Sequence, residues 1–349
     1  ALRLADLELG TLAGYLRSAG LLPETAEDVL ARLSPTGKVS TAEFSLEGLA
    51  GPRDWQLAMN FSELDVKPWR GAPGLKSASG YALLSADQGL VQLASSDFSM
   101  AFPKVFKEPL AYSAMTGELA WSIDNEAFRL RSGPFKAIAE EGDIRGLFSL
   151  KIPRVEMPAG AEMDLMVSIR NSESRFRDKY LTYKLNPDLL DWLEDGIDAG
   201  RINEAGFIYR GALIRRPDYR SVQLFLDVED TRIDYHPQWP AAEAFAGLIL
   251  VDNAEVDAFG NARILSSRVS DAHIALRPNQ DESLRLFVRA NMTGSAQDGL
   301  DIINRSPLRE RVGDSFSEWT LDGQLESRLS LAMDLRKTNL EPQAELLTD

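Results

Sequence analysis

From Leu321 to Leu335 every second residue is apolar or Gly, with Ser327 the exception: Leu321, Gly323, Leu325, Leu329, Leu331, Met333 and Leu335. The residues between are mostly polar, among them Asp322, Gln324, Glu326, Arg328, Ser330 and Asp334. A period of two marks a strand with one apolar face and one wet face. At roughly 3.3 Å per residue the ribbon is about 50 Å long, where a typical strand has about 5–6 residues. The same alternation recurs at Val222, Leu224, Leu226 and Val228, and again at Leu284, Leu286, Val288, Ala290 and Met292.

Shorter strand patterns fill 38–177, near 39–48, 55–66, 79–85, 89–95, 98–101, 117–123, 126–131, 145–152 and 163–170. After Gly200 they resume near 206–214, 220–235, 245–257, 262–267, 270–276, 283–293 and 316–336, giving long strands over 206–336. Turn-forming groups such as Gly71-Ala72-Pro73-Gly74 and Asp124-Asn125 separate them, as in a meander. Helical spacing appears in two places. Residues 10–33 form a small helical element, in which Leu9, Leu12, Tyr15 and Leu16 share a face. Residues 187–199 carry an N-cap at Asn186, Pro187 at the first position and Gly200 at the end, with Leu189, Trp192, Leu193 and Ile197 as an apolar stripe.

Composition narrows what such a sheet can do. The chain of 349 residues is 44% hydrophobic and 26% charged, enough to fold. Its net charge of −15 argues against nucleic acid, because phosphate neutralisation needs clustered Lys and Arg. Cysteine is absent, so disulfides and thiolate metal sites are excluded. No run approaches the ~18 apolar residues of a membrane span. Ala1 opens directly into a strand-like pattern while Glu341 to Asp349 trails away, and the chain reads as an excised piece of a longer protein.

Catalytic signatures are scarce. His236 and His273 have no partner at ligand spacing in the sequence, and both read as packed or surface imidazoles. Asp227, Glu229 and Asp230 share one strand but match no calcium loop; they read as solvated charge, and would be the first residues to test for a carboxylate-based glycan hydrolase. No nucleophile elbow, phosphate loop or metalloprotease motif is present. Catalytic residues, metal ligands and cofactors are therefore expected to be none. Two accounts of the apolar stripe compete: an ordinary core of stacked layers, and an open trough. Expected helix is too scarce to blanket the sheet, and the longest strands would overhang a compact sandwich.

Short motifs in a fixed order add to this reading. They are Leu33-Ser34-Pro35-Thr36-Gly37, Phe102-Pro103 with Phe106 and Pro109, Gly117-Glu118-Leu119-Ala120-Trp121, and Tyr180-Leu181 with Trp192-Leu193 and Gly200. Arg210-Gly211, Trp239-Pro240 and Ser306-Pro307-Leu308 follow. With these the chain resembles, over nearly its whole length, the YhdP family of AsmA-like proteins; Thr182 stands where the family usually has Pro. The resemblance implies a mainly β fold, a long, twisted, curved antiparallel sheet forming an open apolar groove, with a few short helices. It also implies intermembrane phospholipid transport in the periplasm of a Gram-negative envelope, with tethering by a transmembrane helix outside this segment.

The expectation is thus one continuous segment over 1–349 of a larger β-groove protein. Phospholipid would be its partner, and both membranes would be reached through other parts of the protein. Groove-lining residues would be Leu224, Leu226, Leu284, Leu286, Val288, Leu325, Leu329, Leu331 and Met333. The alternative is a non-catalytic scaffold that binds envelope proteins through exposed β-edges.

Overall fold

A computed structural model describes residues 2–18, 24–46, 55–155, 160–182, 196–197, 199–213, 219–235, 238–279, 283–306, 309, 316, 318–335 and 341–348. The fold is mainly β, and its strands pair antiparallel with their neighbours in sequence. The strands are β1 (Leu2–Glu8), β2 (Thr36–Leu46), β3 (Trp55–Val66), β4 (Gly74–Ser85), β5 (Gln88–Ala101), β6 (Leu110–Ile123), β7 (Ala127–Ser132), β8 (Phe135–Ala139) and β9 (Gly142–Pro153). Next come β10 (Glu162–Glu173), β11 (Arg201–Ala212), β12 (Arg220–Ile233), β13 (Ala242–Asp252) and β14 (Glu255–Ile264). The last are β15 (Ser267–Pro278), β16 (Leu284–Ser295), β17 (Gln324–Leu335) and β18 (Glu341–Thr348). The described helices are α1 (Leu9–Ser18), α2 (Glu24–Leu33), α3 (Arg177–Tyr180) and α4 (Ala296–Arg305).

Two compact units divide the chain. The first holds residues 1–169, 179–184 and 208–220; the second holds 170–178, 185–207 and 221–349. In each, register sorts the side chains. Residues directly opposite one another share a face, so pairs can be followed from strand to strand. In the first unit, Phe44, Leu57, Leu84, Gly89, Trp121, Leu130 and Leu150 form one such line across β2 to β9. Its glycine is a matter of space: a Cβ on Gly89 would come within 2.1 Å of the Trp121 indole, which occupies the place of the missing side chain. The other face carries Glu43, Asn60, Gln92, Glu118 and Arg131.

Strict alternation fails once in each of seven strands, in the same way. Residues on the apolar face stand three apart rather than two, and the residue just before the second of them has a left-handed backbone. Leu4 and Leu7 flank Asp6, Phe61 and Leu64 flank Glu63, Leu75 and Ala78 flank Ser77, and Ser95 and Phe98 flank Asp97. In the second unit Val228 and Thr231 flank Asp230, Ala242 and Phe245 flank Ala244, and Val269 and Ala272 flank Asp271. All have φ between 49° and 57°. Most are Asp or Ser, whose short polar side chains tolerate that region better than β-branched residues. Register shifts accompany them, as between Phe61 and Leu64 and between Val228 and Thr231. These are β-bulges, which bend a strand and raise its twist.

Side chains repair the ladder where the bulges break it. The Glu63 amide donates to Ser79 Oγ at 3.2 Å, the Ser77 amide to Asp65 Oδ1 at 2.9 Å and the Ser79 amide to Ser95 Oγ at 2.8 Å. Ser95 is buried for this purpose on an otherwise apolar face. The Asp271 amide donates to Asn261 Oδ1 in the same manner. Residues at the bend are almost fully enclosed: Ala78 is 0% exposed, Ala82 2% and Phe98 1%. The described helices pack mainly on β1, β2, β16 and β17, so this burial comes from the strands themselves and from Phe102, Phe106 and Tyr180, which pack on them.

The bulges account for two differences from the sequence expectation. The expected strands 89–95 and 98–101 are two halves of β5, joined through the bulge at Asp97. β4 begins at Gly74, five residues before the expected 79, on the far side of Ser77. β17 starts at Gln324, not Leu321. Before it, the Leu321 amide donates to Gln297 Oε1 and the Ala296 amide to the Gly323 carbonyl, so 321–323 belong to the turn against α4. The small β8, the last strand β18 in the stretch expected to trail away, and the helices α3 and α4 were not expected; Ser295 as N-cap and Asp298 in the first turn are the signals that α4 offered. The helix expected over 187–199 lies outside the described residues, apart from isolated positions.

Candidate functional site

The residues expected to line a groove fall on one face of the second unit. Leu226 opposes Ile249, which leads through Ala258, Ile274 and Val288 to Leu331. Leu224 leads likewise through Val251, Val256, Leu276 and Leu286 to Met333. Leu284 lies on the same face opposite Leu335, Leu329 opposite Ala290, and Leu325 opposite Gly294. At about 4.8 Å between strands, each six-residue line extends about 24 Å across the sheet. Leu331 and Met333 are buried, and the other seven are half-buried. α4 touches only the end of this surface, where Gly299 packs near Leu325.

The first unit carries an equivalent face that the sequence analysis did not single out. Phe61, Ala78, Ala82, Phe98, Leu110 and Tyr112 form its buried part, and Met59, Leu84, Val91, Leu93 and Phe135 pack on them half-exposed. Its signal was present but phase-shifted: Phe61 and Leu64 fall on opposite faces if alternation is assumed to be strict.

The groups that invited chemical readings are dispersed. Asp227 faces Leu248 on the other side of the sheet, Glu229 pairs with Arg201 at 3.0 Å, and Asp230 is a bulge residue. They do not converge. His273, unpartnered in the sequence, has a partner in space. Its Nε2 lies 2.8 Å from Asp257 Oδ1, and its ring stacks on Phe259 at 4.4 Å. Arg277 binds the same Asp257 through both carboxylate oxygens, and these bonds, with the His273 contact, hold that carboxyl below its usual range. Cross-strand pairs explain the cluster; the histidine is 39% exposed on the polar face. His236 lies outside the described residues. Among the described residues, no group of three or more His, Asp or Glu could hold a metal ion.

Two buried carboxylates are structural anchors. Glu141, between β8 and β9, is 2% exposed, and its Oε1 accepts from Lys179 Nζ and Tyr180 Oη. Burial pushes its pKa up, but those hydrogen bonds outweigh burial and hold it below the usual value. The same burial and the neighbouring carboxylate push Tyr180 far above an ordinary phenol. Asp298 of α4 accepts from the Ser266 amide, Ser266 Oγ and Ser267 Oγ at 2.6–3.0 Å, tying the helix to the turn between β14 and β15. Its burial likewise opposes, and the Ser267 and Ser266 bonds overcome, so its pKa is lowered.

These features define a β-groove protein: in each unit antiparallel strands present an apolar face to which the described helices add little cover. No helix among the described residues is long and apolar enough to cross a membrane. The chain belongs to the YhdP family, whose "YhdP protein" model matches residues 1–345. It is similar to the Intermembrane phospholipid transporter YhdP of Escherichia coli (strain K12), with 22% identity over 342 residues, covering 96% of this chain and 26% of that protein. The chain thus spans about a quarter of that relative's length. No solved structure matches it.

Proposed function

We propose that this chain is one continuous segment of a longer periplasmic β-groove protein that moves phospholipids between the inner and outer membranes, held to the inner membrane by a transmembrane helix elsewhere in the protein. Acyl chains lie on the apolar faces, and headgroups stay in water at the open side. The observation that carries the reading is the row from Leu226 to Leu331, half-buried along most of its length and free of helix cover among the described residues, on a family member whose relative is named as a phospholipid transporter. Each buried methylene contributes roughly 0.8 kcal/mol, so one acyl chain gains on the order of 10 kcal/mol before ordering costs. Similar apolar side chains recur along each line, so successive positions differ little in energy and sliding needs no bond chemistry. The chain acts without catalysis on this reading.

Charge on the track is the test. Leu329→Glu and Leu286→Arg each place an unpaired charge among hydrocarbon, which costs several kcal/mol. In the full-length protein both should abolish phospholipid supply to the outer membrane, while Arg289→Glu, on the opposite face of β16, should leave it intact. Folded Leu329→Glu and Leu286→Arg proteins with undiminished supply would remove the lining assignment.

A second reading has one observation in its favour. The polar face of the second unit exposes Leu248, Leu250, Phe259 and Phe287, a surface suited to an envelope protein partner. Native mass spectrometry of the purified chain separates the two: co-purifying phospholipid supports transport, and a lipid-free chain with a stoichiometric protein partner supports the scaffold.

A further inference from the structure

One end of the first unit's apolar face is covered by the chain itself. Phe102 and Phe106, in the turn after β5, meet edge-on at 6.2 Å between ring centres, and they pack on the cluster around Phe98, Leu110 and Tyr112. Tyr180 packs on the same cluster. Beside it, Lys179 Nζ lies 6.0 Å from the Tyr112 and Tyr180 ring centres and 3.4 Å from the Ala111 carbonyl. Both Lys179 and Tyr180 donate to Glu141, which is buried, while Lys179 keeps 22% of its side chain exposed.

A charge pair at the edge of an apolar cluster calls for a reason other than stability, since apolar residues of similar size serve a core as well or better. Unlike apolar packing, such a pair is directional and all-or-none: it holds one segment in one place until both groups are solvated. We propose that Lys179 and Tyr180 form a strap that closes this end of the apolar face, with Glu141 as its catch, and that acyl chains reach the surface beneath Tyr180 only when the strap lifts. The cargo in this proposal rests on the lipid reading above; the catch rests on geometry alone.

The test separates them by two readouts on the full chain: hydrogen exchange of the 177–182 amides, and entry of a fluorescent phospholipid from phosphatidylethanolamine–phosphatidylglycerol vesicles. Glu141→Gln, or Lys179→Gln if the first variant folds poorly, should speed exchange in 177–182 at least tenfold and speed probe entry several-fold. The double replacement Glu141→Leu with Lys179→Leu, which keeps the cover but removes the charges, should restore slow exchange and slow entry. Unchanged exchange in both Gln variants overturns the catch. Faster exchange with identical entry in all variants overturns the gate, leaving an anchor. If neither the wild-type chain nor any variant admits probe while Glu141→Gln speeds exchange, the lipid reading falls with the gate's cargo, and the catch stands.

Discussion

At the scale of single residues, the informative positions are the ones that break the pattern. Asp97 stands at φ 51° between Ser95 and Phe98, and this one left-handed residue lets both neighbours face inward. A β-branched side chain is strained there. Asp97→Val should therefore lower stability by about 1–2 kcal/mol, and Asp97→Gly should be nearly neutral. Urea midpoints of the two variants check this; equal midpoints would mean the bend does not depend on the left-handed residue. Ser95→Ala removes the acceptor of the Ser79 amide and should cost about 1–3 kcal/mol by leaving a buried donor unpaired. A polar residue before an inward apolar one was visible in the sequence, but nothing in the sequence says whether Asp97 ends a strand or bends it. The expected break between 95 and 98 was that ambiguity resolved the wrong way.

At the scale of elements, strands were more legible than short helices. Long alternation in β12, β16 and β17 overrides weak propensity, because a whole apolar face is lost if register slips by one. α4 is short, holds Gly299, and depends on tertiary bonds, chiefly those of Asp298 to the β14–β15 turn. Asp298→Ala should expose this dependence: α4 amides would lose protection, at a cost of about 1–3 kcal/mol for the donors left without an acceptor. The pH dependence follows from the same bonds. The folded pKa of Asp298 is lowered, so its contribution is fully present above the unfolded Asp value of about 3.9 and is lost as pH falls through the lowered value. Hydrogen exchange of α4, taken relative to the unfolded-chain rate at each pH, should be flat from neutral to mildly acidic pH and rise only below about pH 4. A rise already near pH 6 would assign the helix's stability to some other group.

At the scale of the whole chain, the apolar surface is the main fact. A sheet with an uncovered apolar face has a hydration penalty that a long apolar ligand relieves, so bound phospholipid should stabilise the chain by mass action. Delipidation in detergent followed by exchange into buffer should lower the melting temperature, and adding phospholipid vesicles should restore it; glycerol 3-phosphate, which lacks acyl chains, should not. An unchanged melting temperature under all three conditions would argue that the face is adequately satisfied by its own curl.

What the sequence determined by itself was the fold class, the family resemblance and the single-faced character of the long strands, because period-two alternation encodes burial directly and needs no knowledge of neighbours. That the nine residues expected to line a groove share one face was legible for the same reason: none lies beyond a bulge from its strand-mates. Only the tertiary structure decided how strands join through bulges, which polar groups repair them, that His273 meets Asp257, and that Glu141 meets Lys179 and Tyr180. Those outcomes depend on residues far apart in the chain coming within a few ångströms, and side-chain hydrogen bonds of that kind leave no period in the sequence to read.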